Sequence, residues 1–532
     1  MRRRIAISHW LLVCMAVLVG SLVLAGAYPL VDPDEGRNAE VAREMSSSGD
    51  FLVPRLAGMP YLDKPPALFW AETLSFRALG ATPRAARLPA AVSAWAVLLI
   101  VGSVAARSMG KRFALVAVAM LASAPLFAVL SAYVIFDMPL TLCVTIVWAG
   151  VVEETAEGPA RDWRFAMFAA TTLGLLLKGP VMLAWAVGGS LCAALVVRSR
   201  VPLRWLAWWP GWIFVLAVAG GWFALATRRY PEYPHYAFLE ESLERLTTGH
   251  FHRQQGLWFV PAVLVLGAFP GSLATPWAAR VSSQASRVSL GFLLFAIAFF
   301  SLSSSKLVTY LVPVLPMMAW LGAEAWCDSC REQRGAVGVA LVYGALAVVF
   351  GLASQRPAWL AFLGDAGLVA LGRIAAAQLT LVWIALAVIA LFAAWIRWRN
   401  VAWIACFSFT PILLVSAAPL FQAYASSQSG EPLARAVGAR GKVRFEFCYS
   451  SGVDFMLGRR SELVSLTGFE TTSNYQARYR ETLRRRGEWT PHASVTEVDS
   501  TLVVVRPSGD KNARAHPWRE IFRDQRFVAY AP

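Results

Sequence analysis

The chain has 532 residues, 57% of them hydrophobic and 15% charged, with a mean hydropathy of +0.52. That balance excludes an ordinary soluble protein, because apolar stretches of the roughly 20 residues a bilayer requires recur along most of the chain. The formal charge of +16 would point to nucleic acid in a soluble chain, but much of it lies in short loops, where membrane orientation and anionic lipid account for it, so no nucleic-acid partner is expected.

Arg2, Arg3 and Arg4 precede an apolar run from Ile5 to Ala27. The run exceeds an ordinary signal-peptide core and no small-residue cleavage site follows, so it reads as an uncleaved first span. A long polar loop, 29–85, comes next. Asp32-Pro33-Asp34-Glu35 reads as a helix start, with Asp32 as N-cap, Pro33 at the first helical position and Glu35 closing a capping box before a helix from Arg37 to Met45. Asp34 also suits the first turn, where acids meet the helix dipole. Farther along, Tyr61-Leu62-Asp63-Lys64-Pro65-Pro66 holds a lysine beside two prolines, suited to a lipid phosphate or to snorkelling at the interface.

Apolar segments then cover 86–106, 113–131, 138–152, 165–177, 180–197, 204–226, 257–274, 288–302, 307–324, 335–353, 374–396 and 400–418, for about 13 spans in all by the length rule. Ionisable residues stand at their edges: Asp137, Lys178, and Lys306 with Tyr310. Charges there are costly to bury, which makes each a candidate for function, although one alone can cap a helix or snorkel. A second long loop, 227–256, carries Glu241, Arg245 and His252. Short loops at Arg107 to Arg112, Arg198 to Arg204, Arg280 to Arg287, Arg331 to Arg334 and Arg397 to Arg399 are basic, as cytoplasmic loops are. Both long loops then fall on the opposite, extracytoplasmic side, together with Asp34, Lys64, Asp137, Lys178 and Lys306. The seven cysteines show no disulfide framework, and the lone pair Cys327 and Cys330 is weak evidence for metal or redox chemistry.

The tail changes character. Residues 1–419 read as one transmembrane unit, and 420–532 as a small α/β domain on the extracytoplasmic face, with runs such as Leu502 to Val505 alternating with basic helical stretches such as Ala477 to Arg486. Two carboxylates and several cations on one face suit an anionic, phosphate-bearing donor. Cations would stabilise a departing phosphate and a carboxylate could take a proton from an acceptor hydroxyl.

The first loop resembles that of the aminoarabinose transferases, a family related to the protein O-mannosyltransferases. The likeness runs through Asp32 to Met45, Ser48 to Asp50, Pro54 and Tyr61 to Pro65. It returns at Phe136 to Met138, Leu177 to Gly179, Glu241, Arg245, His252, and Lys306 to Tyr310 with Pro313, so that it covers roughly residues 8–325. The resemblance implies a mainly α GT-C membrane fold with a soluble C-terminal domain. It also implies an undecaprenyl-phosphate sugar donor, inversion at the anomeric carbon, and an envelope acceptor such as lipid A, all at a bacterial inner membrane. It places Asp34 and Asp137 as catalytic acids and Lys64, Lys178, Arg245, Lys306 and Tyr310 near the carrier phosphate. Glu35, Arg37, Tyr61 and Glu241 accompany them, and Asp63 and His252 are the candidate ligands if a divalent metal ion is used. Asp63 stands where family members usually have Glu, and Ser305 where they have Gly. The rival readings are transfer to another glycan, polymer or protein hydroxyl, and a lipid or sugar transporter. The transporter predicts internal repeats that this sequence lacks.

Overall fold

The computed structural model describes residues 8–158, 161–244, 255–273, 283–327, 329–363, 365–396, 404–438, 440–492, 502–509 and 518–532. Arg245 and His252 lie outside the described residues. The chain opens with α1 (His9–Ala25), α2 (Asp34–Ser48), the short hairpin β1 (Arg55–Leu56) and β2 (Met59–Pro60), α3 (Ala67–Leu79) and α4 (Pro83–Ser108). Next come α5 (Lys111–Ala122), α6 (Pro125–Leu130), α7 (Asp137–Glu157) and α8 (Arg161–Lys178).

Among the described residues, eight helices are long and apolar enough to cross a membrane, and His9–Ala25 and Val181–Val197 are shorter apolar helices. The expected count of about 13 is thus not confirmed among the described residues, for local reasons. Segment 113–131 is broken between Ala122 and Pro125, because a proline has no N–H to continue a helix and is best placed at its start. Segment 165–177 lies within α8, whose ends carry Arg161, Asp162, Arg164 and Lys178. Segment 257–274 ends its helix at Gly267, ahead of Pro270. The last span is Phe409–Ser427, so one helix runs through the border expected at 419.

After that helix the chain builds a five-stranded sheet from β3 (Val443–Glu446), β4 (Glu462–Val464), β5 (Val503–Pro507), β6 (Arg519–Arg523) and β7 (Phe527–Ala531), in the order β4-β3-β5-β7-β6. β3 runs parallel to both β4 and β5, and β7 antiparallel to β5 and β6. Leu433, Val443, Phe445, Val453, Leu463, Val503, Val505 and Phe527 give this region a hydrophobic core of its own.

The predicted capping box does not form. Helix α2 begins at Asp34 with no side-chain cap. The Asp32 carboxylate instead takes the Ser450 hydroxyl at 2.5 Å and the Gly452 N–H at 3.1 Å, with Arg526 3.8 Å away. The C-terminal region thus grips the start of α2. A Cβ on Gly36 would lie 2.9 Å from the Gly452 nitrogen, so glycine permits this approach. Along the same helix Arg43 donates to the Gly458 carbonyl at 3.1 Å, and Glu44 pairs with Arg460 at 3.3 Å.

Glu35, freed from capping, is fully buried and bidentate to Arg87 of α4, at 2.7 and 2.6 Å. It also accepts the N–H groups of Val31 and Val134. Arg87 donates in turn to the carbonyls of Ala25, Tyr28 and Pro29 and stacks over the Tyr28 ring at 3.7 Å. Removing one partner would strand a buried charge, so Arg87→Met should cost about 3–5 kcal/mol. Thermal unfolding in detergent checks this, and a variant as stable as wild type refutes it.

Glu72 on α3 is also fully buried, but neither carboxylate oxygen meets a hydrogen-bond partner among the described residues. Burial, reinforced by the nearby Glu35, pushes its carboxyl well above the ordinary glutamate range. The folded protein therefore holds a proton that the unfolded chain releases in the ordinary range, and stability present in acid is lost as pH rises toward the raised value. Glu72→Gln should remove that alkaline loss. Tm measured at acid and alkaline pH should fall less for the variant than for wild type; an identical fall counts against a proton on Glu72.

Candidate active site

The site grows from the geometry of helix ends. Helices α7 and α8 are joined by a short connection, so the start of α7 and the end of α8 lie at one end of the pair. Asp137 sits in the first turn of α7 and Lys178 in the last turn of α8, each where the helix dipole favours its sign. There the two side chains meet, Lys178 Nζ donating to Asp137 Oδ1 at 2.6 Å. The ammonium also lies 4.6 Å from the centre of the Tyr310 ring, a cation–π distance.

These three residues line a cavity of about 270 Å³. Asp63, Lys64, Tyr233, Glu241, Ser303 and Ser305 join them, while much of the remaining wall is apolar, including Trp185, Phe223, Phe299 and Phe300. The cavity is thus greasy along its walls and charged where Lys64 and Lys178 enter. Lys64 donates to Glu241 and, at 2.7 Å, to the Asp63 carbonyl. The Glu241 carboxylate fixes the ammonium in place at the cavity.

The other expected site residues among those described are arranged around this cavity rather than in its lining. Asp34 is half exposed and pairs with Arg37 at 2.6 Å. Arg37 reaches on to the Thr472 hydroxyl at 2.7 Å. Tyr61 connects this layer to the cavity: Arg37, Asp63, Glu241 and Asp34 all act electrostatically on its buried hydroxyl, and burial raises its pKa above the ordinary range. Lys306 is buried and donates to the Ser303 carbonyl at 2.7 Å, so it stands behind two serines that do line the cavity. Glu35 holds α2 against α4 through Arg87 and takes no part in the lining.

Asp63 is engaged at both oxygens. It accepts the Tyr236 and Tyr475 donors on Oδ1 and the Ser473 hydroxyl on Oδ2. Burial beside Asp63 and Glu241 holds the Tyr236 phenol well above its ordinary range, so it remains a donor. All three contacts come from hydrogen-bond donors. Among the described residues, no group of three His, Cys, Asp or Glu side chains is gathered to hold a metal ion. Tyr233, Tyr236 and Ser473 were not singled out from the sequence. Ser473 is 410 residues from Asp63, beyond any local pattern.

Residues 63–222 match the family described as dolichyl-phosphate-mannose-protein mannosyltransferase. The chain is 30% identical over 317 residues to the undecaprenyl phosphate-alpha-4-amino-4-deoxy-L-arabinose arabinosyl transferase of Aeromonas salmonicida, an alignment covering 58% of each chain. It is 30% identical over 333 residues to the enzyme of the same name from Pectobacterium carotovorum, covering 60% of this chain and 59% of that one. The match therefore spans about three fifths of the length of these relatives. The crystal structure of ArnT from Cupriavidus metallidurans bound to undecaprenyl phosphate superposes with a TM-score of 0.83 at 22% identity, covering 99% of this chain and 98% of that one. By sequence over part of its length and by fold over nearly all of it, the chain is similar to these enzymes, and among its described residues eight helices are long and apolar enough to cross a membrane.

Proposed function

We propose that the chain is an inverting glycosyltransferase that moves a sugar from an undecaprenyl-phosphate carrier to an envelope acceptor on the extracytoplasmic side of the bacterial inner membrane. The observation that carries the reading is the cavity itself: Lys64 and Lys178 enter a largely apolar pocket beside Tyr310. A polyprenyl phosphate has the same two parts, an anionic head and a hydrocarbon tail. Names of the relatives suggest 4-amino-4-deoxy-L-arabinose as the sugar, and lipid A is the proposed acceptor.

In the proposed reaction an acceptor oxygen attacks the anomeric carbon as the bond to the carrier phosphate breaks. The phosphate leaves with the electron pair. Lys178, held by Asp137, and Lys64, held by Glu241, stabilise the charge that grows on it. Asp34 is the exposed carboxylate beside this layer. It orients an acceptor that is already anionic, such as a lipid A phosphate, or takes the proton from an acceptor hydroxyl.

The direct test supplies purified protein with undecaprenyl-phosphate aminoarabinose and lipid A and follows sugar transfer by mass spectrometry. Transfer to lipid A supports the full reading. Transfer only to another acceptor keeps the enzyme class and discards lipid A, and no carrier-dependent transfer with any acceptor refutes the proposal. Lys178→Met should lower kcat by roughly 10²- to 10³-fold, the usual cost of losing one donor to a developing anion. A wild-type kcat in a folded Lys178→Met protein would remove this lysine from the reaction.

A further inference from the structure

Asp63 and Lys64 are consecutive, yet their side chains are held by different partners, two of which share one helix. Lys64 pairs with Glu241, and Asp63 accepts the hydroxyl of Tyr236. Tyr236 and Glu241 are five residues apart in the π-helix His235–Glu244. In an α-helix of 3.6 residues per turn such residues point about 140° apart. The wider, i→i+5-bonded turn of a π-helix brings them onto one face, so a single helix can grip both neighbours of the first loop.

The C-terminal region closes the same grip from the other side. Ser473 Oγ donates to Asp63 at 2.5 Å and the Tyr475 N–H at 3.1 Å. Tyr236, Ser473 and Tyr475 are 1%, 1% and 0% exposed, so water does not compete for these bonds. The Tyr236 ring packs edge-on against Tyr475 and Tyr479, with centroids 5.2 and 5.9 Å apart. Gln476 donates to the carbonyls of Leu56 and Pro60, at 3.1 and 3.2 Å, in the hairpin that leads into Tyr61.

We propose that Asp63, Tyr236 and Ser473 form a latch that positions the Lys64 ammonium in the cavity, so that carrier-phosphate binding depends on the docked C-terminal region. The proposal rests on the reading of the cavity as a carrier-phosphate site. Asp63 acts here as a positioning residue. Its carboxylate joins the first loop, the second loop and the C-terminal region through hydrogen bonds, and it aims the lysine that follows it.

The test uses the full chain in nanodiscs, with undecaprenyl phosphate as the probe. Tyr236→Phe removes one hydroxyl, and Ser473→Ala removes another together with the cap it gives to Gln476. Each should speed hydrogen exchange in the peptide 61–66 and weaken undecaprenyl phosphate binding roughly tenfold or more, as expected for a lost bond to a charged group. Ser473→Thr, which keeps the hydroxyl, should restore both. In a Lys64→Met background, Tyr236→Phe should weaken binding no further, because the residue it acts through is gone. A purely structural role predicts the same added loss in both backgrounds and would overturn the proposal. Unchanged exchange at 61–66 with normal lipid binding would overturn the latch alone. If the wild type does not bind undecaprenyl phosphate, the functional reading falls and takes the phosphate role of Lys64 with it; faster exchange in the variants would then still register the contact.

Discussion

Everything near the site hangs from the buried pair of Glu35 and Arg87. Burying two ions is costly, and the cost is offset only when the remaining donors and acceptors are also satisfied. Here they are. Arg87 reaches three carbonyls at the end of α1 and just beyond it, and Glu35 takes two backbone N–H groups besides the guanidinium. One of those N–H groups belongs to Val134, three residues before Asp137. The pair therefore sets the first span, the first-loop helix, α4 and the entry to α7 in one arrangement. Asp137 and its lysine inherit their place from it.

The C-terminal region is the second constraint. It docks through polar and ionic contacts beside apolar ones, in which Phe455, Tyr475 and Leu483 join the main hydrophobic core. Asp32, Arg37, Glu44 and Asp63 of the first loop each reach it, to Ser450, Thr472, Arg460 and Ser473 in turn. The second loop does the same, with Glu232 on Arg486 and Glu240 on Arg478. Two membrane loops, neither with a core of its own, are thereby fixed against a folded unit. Charged side chains suit this task because hydrogen bonds have direction and set register, which apolar burial does not.

Within that frame the cavity separates two kinds of chemistry. Its aromatic wall favours hydrocarbon, and its ammonium groups favour an anion. Each lysine is paired with a carboxylate, which keeps the cation in place when no ligand is bound. Asp34 stands outside the lining, on the exposed side of Arg37 and Tyr61. In the proposed reaction, donor and acceptor are approached by different carboxylates, Asp137 through Lys178 and Asp34 from the other side.

Much of this was legible in the residues. Long apolar runs declared the membrane, because a bilayer sets a length that composition must meet. Charges at the span edges stood out because they are costly there, and Lys64, Asp137, Lys178, Tyr310 and Glu241 do share one cavity. Other features were decided only by tertiary contacts. Asp32 and Glu35 have the spacing of a capping box, a local pattern, but partners 418 and 52 residues away claimed their carboxylates. Proline at 125 turned one apolar run into two helices, since hydropathy alone does not register a missing N–H. Asp63 read as a candidate metal ligand, and nothing in the local sequence announced that Tyr236 and Ser473 would be brought to its carboxylate. The sequence by itself determined the solvent this chain lives in and the types of group its site would use. Which of those groups face one another was decided by the fold, because pairings across hundreds of residues have no local signature.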